Sequence, residues 1–200
     1  MSQGAVRTYG HLFHGMRVSG LEHMPLTGGC VVASNHQSHL DPPILCAFSP
    51  RPIHFLAKEE LFDTPVVREL ITWMGMVRTP RDGGAIAAIR AGVRVIKDGY
   101  VLGIFPEGTR SKDGHRQPAQ PGVVAIAVMA GNVPIVPAYI GGTLGAMPPG
   151  SFFPRFRKPI RIVFGEPFTL QGDETNLKDK ARMQQTAERV LDRVFALQAS

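Results

Sequence analysis

Residues 30–48 read CVVASNHQSHLDPPILCAF, and this stretch decides the fold. It opens with a short run of small and β-branched apolar residues, the pattern of a strand that is buried on both faces. Asp41 followed by Pro42 then predicts a helix start, because Asp caps helices and the missing N–H of Pro costs nothing in the first turn. A buried strand, a polar loop and a helix in this order form the repeating unit of α/β domains with parallel sheets.

The same alternation continues along the chain. Further strands are predicted at residues 53–57, 101–105, 135–140 and 160–164. Helices are predicted at residues 42–47, 63–74, 85–97, 123–131 and 176–198. The helix over 85–97 is expected to start at Asp82 or Gly83 and to end before Gly99. The sequence therefore predicts a single layered α/β domain with a largely parallel central sheet flanked by helices.

The composition and net charge of the chain indicate a globular protein that binds anionic partners. The 200 residues are 44% apolar and 19% charged, as in a globular chain with one core. Lys and Arg number 22 against 16 Asp and Glu, so the net charge is +6. This surplus favours anionic partners such as phosphate-bearing substrates, lipid headgroups or nucleic acid. No zinc-ligand spacing, basic helix or aromatic RNA-binding motif is present, so we expect no nucleic-acid partner.

Cysteine usage and hydropathy bear on the compartment. Cys30 and Cys46 both stand among apolar residues, which is typical of reduced core thiols in an intracellular protein. The sequence does not begin with a basic segment followed by an apolar stretch, so no signal peptide is expected. The longest apolar run, residues 123–130, is far shorter than the roughly 18 residues of a spanning helix. We expect a cytoplasmic protein without a transmembrane helix.

The loop after the first predicted strand offers two interpretations of His36 and Asp41. In the first, Asp41 caps the following helix and His36 is an ordinary loop histidine. In the second, Asp41 orients His36, and the imidazole acts as a general base on a substrate hydroxyl. Five residues is a poor spacing on one helix, but Pro42 and Pro43 favour a turn between the two side chains. Spacing alone does not separate His36 from His39 as the candidate base.

The segment after the predicted strand 101–105 carries polar and cationic side chains. Residues 106–111 read PEGTRS, in which Gly108 permits close backbone approach and Arg110 offers a rigid fork for a phosphate or carboxylate. Glu107 is a candidate to accept from a substrate hydroxyl or to orient Arg110. Arg81 would complete a pocket of two arginines if it lay nearby, and Lys58 is a weaker candidate. A solvated polar turn is the simpler alternative for each of these segments.

These motifs together resemble one family. Asn35-His36-x4-Asp41-Pro42 and residues 105–111 (FPEGTRS) resemble the glycerolipid acyltransferases, closest to the 1-acylglycerol-3-phosphate (lysophosphatidate) acyltransferases. Residues 75–81 (GMVRTPR) and 133–137 (VPIVP) resemble the second and fourth blocks of that family. The resemblance covers residues 18–168, preceded by a short N-terminal segment, 1–17. Residues 169–200 are expected to form a C-terminal helix packed on the same domain.

The resemblance implies a reaction and roles for the residues. A fatty acyl group would pass from acyl-CoA or acyl carrier protein to the free hydroxyl of lysophosphatidate, with no metal and no other cofactor. His36 would be the general base and Asp41 its orienting partner. The acceptor's phosphate would be bound by Arg81 together with Glu107, Gly108, Thr109 and Arg110. Alternatives are the same chemistry on another lysophospholipid or on a lyso-ornithine lipid, and a lipid-binding relative without catalysis.

One surface segment is a candidate for membrane attachment. Three phenylalanines, Phe152, Phe153 and Phe156, are interleaved with three cations, Arg155, Arg157 and Lys158. Rings can enter the acyl boundary of a bilayer while cations contact anionic headgroups. The alternative is a loop whose phenylalanines fold inward while its cations stay solvated. We favour the first interpretation, which predicts peripheral attachment to the cytoplasmic face of a membrane through this segment.

Overall fold

The computed structural model describes residue 8 and residues 14–79, 84–151, 153–155 and 157–199. Within these residues seven strands form one sheet. They are β1 (Arg17–Ser19), β2 (Cys30–Ser34), β3 (Ile53–Lys58), β4 (Val77–Thr79), β5 (Val101–Ile104), β6 (Ile135–Gly141) and β7 (Arg161–Phe164). Their order across the sheet is β1-β7-β6-β2-β5-β3-β4, and every neighbouring pair is parallel except β6 with β7. The predicted α/β class with a largely parallel sheet is confirmed.

Helices connect the strands in the order expected from the sequence. They are α1 (Asp41–Phe48), α2 (Pro65–Trp73), α3 (Gly84–Lys97), α4 (Gly122–Met129), α5 (Thr143–Ala146) and α6 (Lys180–Ala196). Among these described helices none is both long and apolar enough to cross a bilayer.

Two apolar layers cover the two faces of the sheet. On β2, Val32 packs in one core cluster with residues of α1 and α2, whereas Val31 packs in the other with residues of α3, α4 and α6. All five residues of β2 are buried as a result, which explains its continuous apolar sequence. Because β2 is central and covered on both faces, its carboxyl end is a fixed platform for the loop that follows.

Some boundaries differ from the predictions for local reasons. The C-terminal helix begins at Lys180 rather than near residue 176, because the Asp179 carboxylate caps it by accepting the N–H of Arg182 at 2.9 Å. The helix α3 ends at Lys97 as predicted, where Gly99 adopts φ 85° and donates its N–H to the Ile96 carbonyl. The predicted start of that helix at Asp82 or Gly83 lies outside the described residues.

The sequence did not predict β1, β4 or α5. Each of the two strands has three residues at an edge of the sheet, too few for an alternating pattern to be visible. The helix α5 has a single turn after Gly142, a residue with φ 90° that lets β6 turn into it. These short elements are stabilised by neighbours rather than by their own sequence.

Candidate active site

His36 and Asp41 lie in contact at the carboxyl end of β2. The Nδ1 atom of His36 is 2.9 Å from Oδ2 of Asp41. The imidazole is 17% exposed, and the carboxylate side chain is 1% exposed. An ionised carboxylate only accepts, so this bond places a proton on Nδ1 and leaves Nε2 as the basic nitrogen. The chain turn that brings the two side chains together comes just before α1, as the Pro42-Pro43 pair favours.

Asp41 does not cap α1 in the usual way. Its Oδ2 atom points back along the chain and also accepts the N–H groups of Gln37 at 2.7 Å and Ser38 at 2.8 Å. The helix itself starts at Asp41, with proline in its first turn. One carboxylate oxygen therefore fixes both the loop backbone and the imidazole ring.

Phe105 supports the face of the His36 ring. The two rings stack with centroids 3.9 Å apart and an angle of 11° between their planes. Phe55 of β3 stacks in turn on Phe105, with centroids 5.2 Å apart. The imidazole is thus held at its edge by Asp41 and on its face by Phe105, so that its rotation is restricted.

Glu107 binds backbone rather than Arg110. Its Oε1 accepts the N–H of His36 at 3.0 Å, and its Oε2 accepts the N–H of Gln117 at 2.8 Å. The residue is 3% exposed, and burial raises the pKa of its carboxyl group, opposed by the N–H bonds from Gln117 and His36. A further bond joins the loops after β2 and β5, because the N–H of Ser111 donates to the His36 carbonyl at 2.8 Å. Glu107 therefore connects the two loops that follow β2 and β5.

Asn35 and Ser38 attach the His36 loop to β6, the neighbour of β2 on the side away from β5, and to the segment that follows β6. The Asn35 amide bonds both to the carbonyl of Ile140 at 2.9 Å and to its N–H at 2.8 Å. The Ser38 hydroxyl donates to the Met147 carbonyl at 2.7 Å. The segment that follows β6 is therefore joined to the loop that carries the imidazole.

The predicted phosphate-binding turn lies beside the imidazole loop. Gly108 adopts φ 67° and donates its N–H to the Phe105 carbonyl, which forms a tight turn. Gly108 and Thr109 are exposed, and Arg110 is partly exposed. Desolvation lowers the pKa of His39, and the positive charge of Arg110 lowers it further. Ser111, the residue after Arg110, donates its N–H to the His36 carbonyl at 2.8 Å, so the backbone at Arg110 adjoins the imidazole loop.

For the remaining predicted residues, the structure gives the position of the backbone at Lys58 and at residues 133–137. Lys58 is the last residue of β3 and pairs with Thr79, the last residue of β4. It therefore lies at the carboxyl ends of the parallel strands, as the His36 loop does. Arg81 lies outside the described residues. Residues 133–137 run from the loop into the buried start of β6, at the opposite end of that strand from Ile140. In the described part of the chain, no group of three or more His, Cys, Asp and Glu side chains has an arrangement that would hold a metal ion.

Several supporting contacts were not predicted from the sequence. The stacking of Phe105 on His36 and the bonds of Asn35 to Ile140 join segments that lie 69 and 105 residues apart. The signal for the first was the aromatic residue at the end of a predicted strand. For the second it was the polar Asn35 directly after a fully buried strand.

A doubly covered α/β sheet with a carboxylate-oriented histidine and a cationic turn at its carboxyl edge defines a site suited to transfer at a substrate hydroxyl. Residues 15–141 match the family model described as Acyltransferase. The chain belongs to this Acyltransferase family, and it is an acyltransferase.

Similar proteins agree with this assignment. The chain is 30% identical over 186 residues to the 1-acyl-sn-glycerol-3-phosphate acyltransferase of Bacillus subtilis, covering 92% of this chain and 88% of that one. It is 33% identical over 174 residues to a chloroplastic enzyme of the same name, BAT2 of Brassica napus, and spans about half (49%) of that relative's length. Among solved structures, the 1-acyl-sn-glycerophosphate acyltransferase PlsC of Thermotoga maritima matches with a TM-score of 0.73 and 30% identity, over 98% of this chain and 77% of that chain.

Proposed function

We propose that this acyltransferase moves a fatty acyl group from an acyl thioester, acyl-CoA or acyl carrier protein, to the free hydroxyl of lysophosphatidate, giving phosphatidate for phospholipid synthesis. The observation that carries the proposal is the 2.9 Å bond between His36 Nδ1 and Asp41 Oδ2 beside the turn that bears Arg110. Relatives named for this reaction, of which the Bacillus enzyme is aligned over nearly its whole length, support the choice of acceptor.

His36 acts as the general base. Its Nε2 takes the proton of the acceptor hydroxyl as the hydroxyl oxygen attacks the thioester carbonyl carbon. The imidazolium that forms is stabilised by the Asp41 carboxylate. The tetrahedral intermediate then collapses, the carbon–sulfur bond breaks, and the proton on Nε2 passes to the leaving thiolate. The products are the new oxygen ester and a free thiol.

The cations position the acceptor. Arg110, with Arg81, binds the phosphate of lysophosphatidate, since the guanidinium fork matches phosphate oxygens. Gly108 and Thr109 complete the turn around it, and Lys58 adds positive charge at the same edge of the sheet. Glu107 holds the backbone of His36 and of the turn, which fixes the distance between base and phosphate.

The acceptor and donor are tested together by following a labelled acyl group. The purified protein is given acyl-CoA or acyl carrier protein with lysophosphatidate, another lysophospholipid or a lyso-ornithine lipid. We expect transfer to lysophosphatidate, and the faster thioester identifies the donor. Transfer only to a different lysolipid would retain the chemistry and overturn the acceptor. Lipid binding without any transfer would favour a non-catalytic lipid-binding role.

We also propose that the protein binds membranes peripherally through the loop of residues 147–160. Phe153 is 82% exposed, and the neighbouring Arg155, Arg157 and Lys158 are exposed cations. This loop begins at Met147, whose carbonyl accepts the hydroxyl of Ser38, so it adjoins the active site. Phe152 and Phe156 of the predicted patch lie outside the described residues. A lysolipid acceptor would then pass to the site from the bilayer on the side where the ring is inserted.

Vesicle binding tests this attachment with a matched control. Leu26 is also 82% exposed, but it precedes the amino end of β2, whereas His36 follows the carboxyl end of that strand. We expect Phe153→Ser to weaken binding to vesicles that contain phosphatidylglycerol by about thirtyfold, because a buried aromatic ring contributes about 2 kcal/mol. Leu26→Ser should leave binding unchanged. Equal binding of the Phe153→Ser protein and the wild type would overturn the proposal.

A further inference from the structure

Residues 116–120 lie between α6 and the turn that follows β5. Two of them, Arg116 and Ala119, bond to side chains of α6. The residue after each of these bonds to the turn instead: Gln117 contacts Glu107, and Gln120 contacts Pro106. This short segment therefore contacts the C-terminal helix on one side and the active site on the other.

On the helix side, Glu188 is the central group. Its Oε2 accepts from the guanidinium of Arg116 at 2.7 Å, and its Oε1 accepts the N–H of Ala119 at 2.8 Å. Asp192, one turn further along α6, binds the other terminal nitrogen of Arg116. Gln184 donates to the Ala119 carbonyl at 2.8 Å. One face of α6 thus holds the segment at two points.

On the site side, the contacts continue to the general base. The N–H of Gln120 donates to the Pro106 carbonyl at 2.7 Å, and the N–H of Gln117 donates to Oε2 of Glu107 at 2.8 Å. The other oxygen of Glu107 accepts the N–H of His36. Hydrogen bonds at both sides of residues 116–120, linked through the backbone of this segment, therefore form a path from α6 to the backbone of His36.

The helix is a firm support for this path. Its apolar side, formed by Ala187, Val190, Leu191 and Val194, is fully buried against the sheet. By contrast, residues 105–121 form no helix or strand. The position of the turn is therefore set by its attachments rather than by regular structure of its own.

We propose that Glu188, acting through Arg116 and Ala119, is a positioning residue that fixes the Glu107–Arg110 turn and the backbone of His36 for acyl transfer. The proposal rests on the proposed function. Displacement of the turn would move Arg110 relative to His36 Nε2, so the acceptor hydroxyl would bind at the wrong distance from the base. A small displacement of this kind lowers the rate of the chemical step more than it weakens donor binding.

A neighbouring residue provides the matched control. Arg189 is next to Glu188 in α6 and forms an ion pair with Glu174 at 2.6 Å, away from the segment 116–120. Arg189→Ala and Glu188→Ala each remove one ion pair from the same helix and place the same helix-favouring residue there. Arg116→Gln is a second variant for the path. It changes a loop side chain that is 34% exposed, so folding is preserved.

The experiment measures kcat and the KM for the acyl thioester at a temperature at which circular dichroism shows every variant folded. We expect Glu188→Ala and Arg116→Gln each to lower kcat about tenfold with the donor KM nearly unchanged. Their combination should lose less than the product of the two single losses, because both variants break the contact between Glu188 and Arg116. Arg116→Lys, which keeps the charge, should retain most of the rate, and Arg189→Ala should match the wild type. Wild-type kcat in both path variants, or an equal loss in Arg189→Ala, would overturn the proposal.

A measurement independent of turnover separates this proposal from the proposed function. The imidazole NMR signals of His36, assigned by their absence in His36→Ala, should shift in Glu188→Ala and Arg116→Gln but not in Arg189→Ala. If the wild type transfers no acyl group to any lysolipid and these shifts still occur, the proposed function fails and the positioning path stands. Unshifted signals in both path variants would overturn the path.

Discussion

At the scale of single residues, Asp41 does more than orient an imidazole. One oxygen, Oδ2, accepts N–H groups from His36, Gln37 and Ser38, within a side chain that is buried. The same atom therefore sets the tautomer of the His36 imidazole and the shape of the loop that carries it. Of the two arrangements that the sequence left open, the structure has the contact between Asp41 and His36; α1 starts at Asp41, but the carboxylate bonds to the preceding loop and does not cap the helix.

Replacing Asp41 by Asn separates charge from shape. The amide oxygen of Asn can still accept the three N–H groups, so we expect the loop to persist. The negative charge that stabilises the imidazolium is lost, and kcat should fall by about 100-fold or more in Asp41→Asn. The control is Asp113→Asn, an exposed carboxylate in the loop after β5. Equal rates for Asp41→Asn and the wild type would contradict the role of that charge.

At the scale of elements, α1 is packed so closely on β3 that it buries a thiol. Cys46 of α1 donates to the carbonyl of Ile53 in β3, with sulfur and oxygen 3.2 Å apart. Burial raises the pKa of the Cys46 thiol to about 12. Cys30 in β2 is also a buried thiol, and burial raises its pKa to about 11, opposed by Arg51. Both thiols therefore stay neutral while the protein is folded at neutral pH.

This packing predicts a loss of stability in alkali. The pKa of Cys46 is higher in the folded chain than in the unfolded one, so its contribution to stability is complete below about pH 8.5 and is lost as the pH rises toward 12. We expect the ionisation of Cys46 to lower the free energy of unfolding by about 2 kcal/mol between about pH 8 and pH 10. Urea unfolding of the wild type and of Cys46→Ala at both pH values measures this. An identical pH dependence in the two proteins would refute the burial effect.

The elements also show which parts of the fold are visible in a sequence. The central strands β2 and β6 were predicted because burial on both faces requires continuous apolar runs. The edge strands β1 and β4 were not, since their pairing depends on β7 and β3 rather than on their own residues. Periodicity reports burial, and short edge elements are buried too little to produce it.

At the scale of the whole molecule, long-range contacts determine the site. The sequence motifs singled out the segments after β2 and β5, and the structure brings these segments together because the two strands are parallel neighbours. They did not indicate that Glu107 would bind backbone, or that α6 would reach the turn through Glu188, which follows Arg116 by 72 residues. Such contacts depend on how helices pack on the sheet, and no local pattern encodes that packing.

The most direct test of the account compares the two histidines of the loop after β2. Transfer of a labelled acyl group from its thioester to lysophosphatidate is measured for the wild type, His36→Ala and His39→Ala, with folding checked by circular dichroism. Since His36 is the histidine whose ring bonds to Asp41, we expect its loss to lower the rate by about 1,000-fold and the loss of His39 to change it by less than about threefold. Near-normal transfer by His36→Ala, or an equal loss in His39→Ala, would contradict the assignment of His36 as the base.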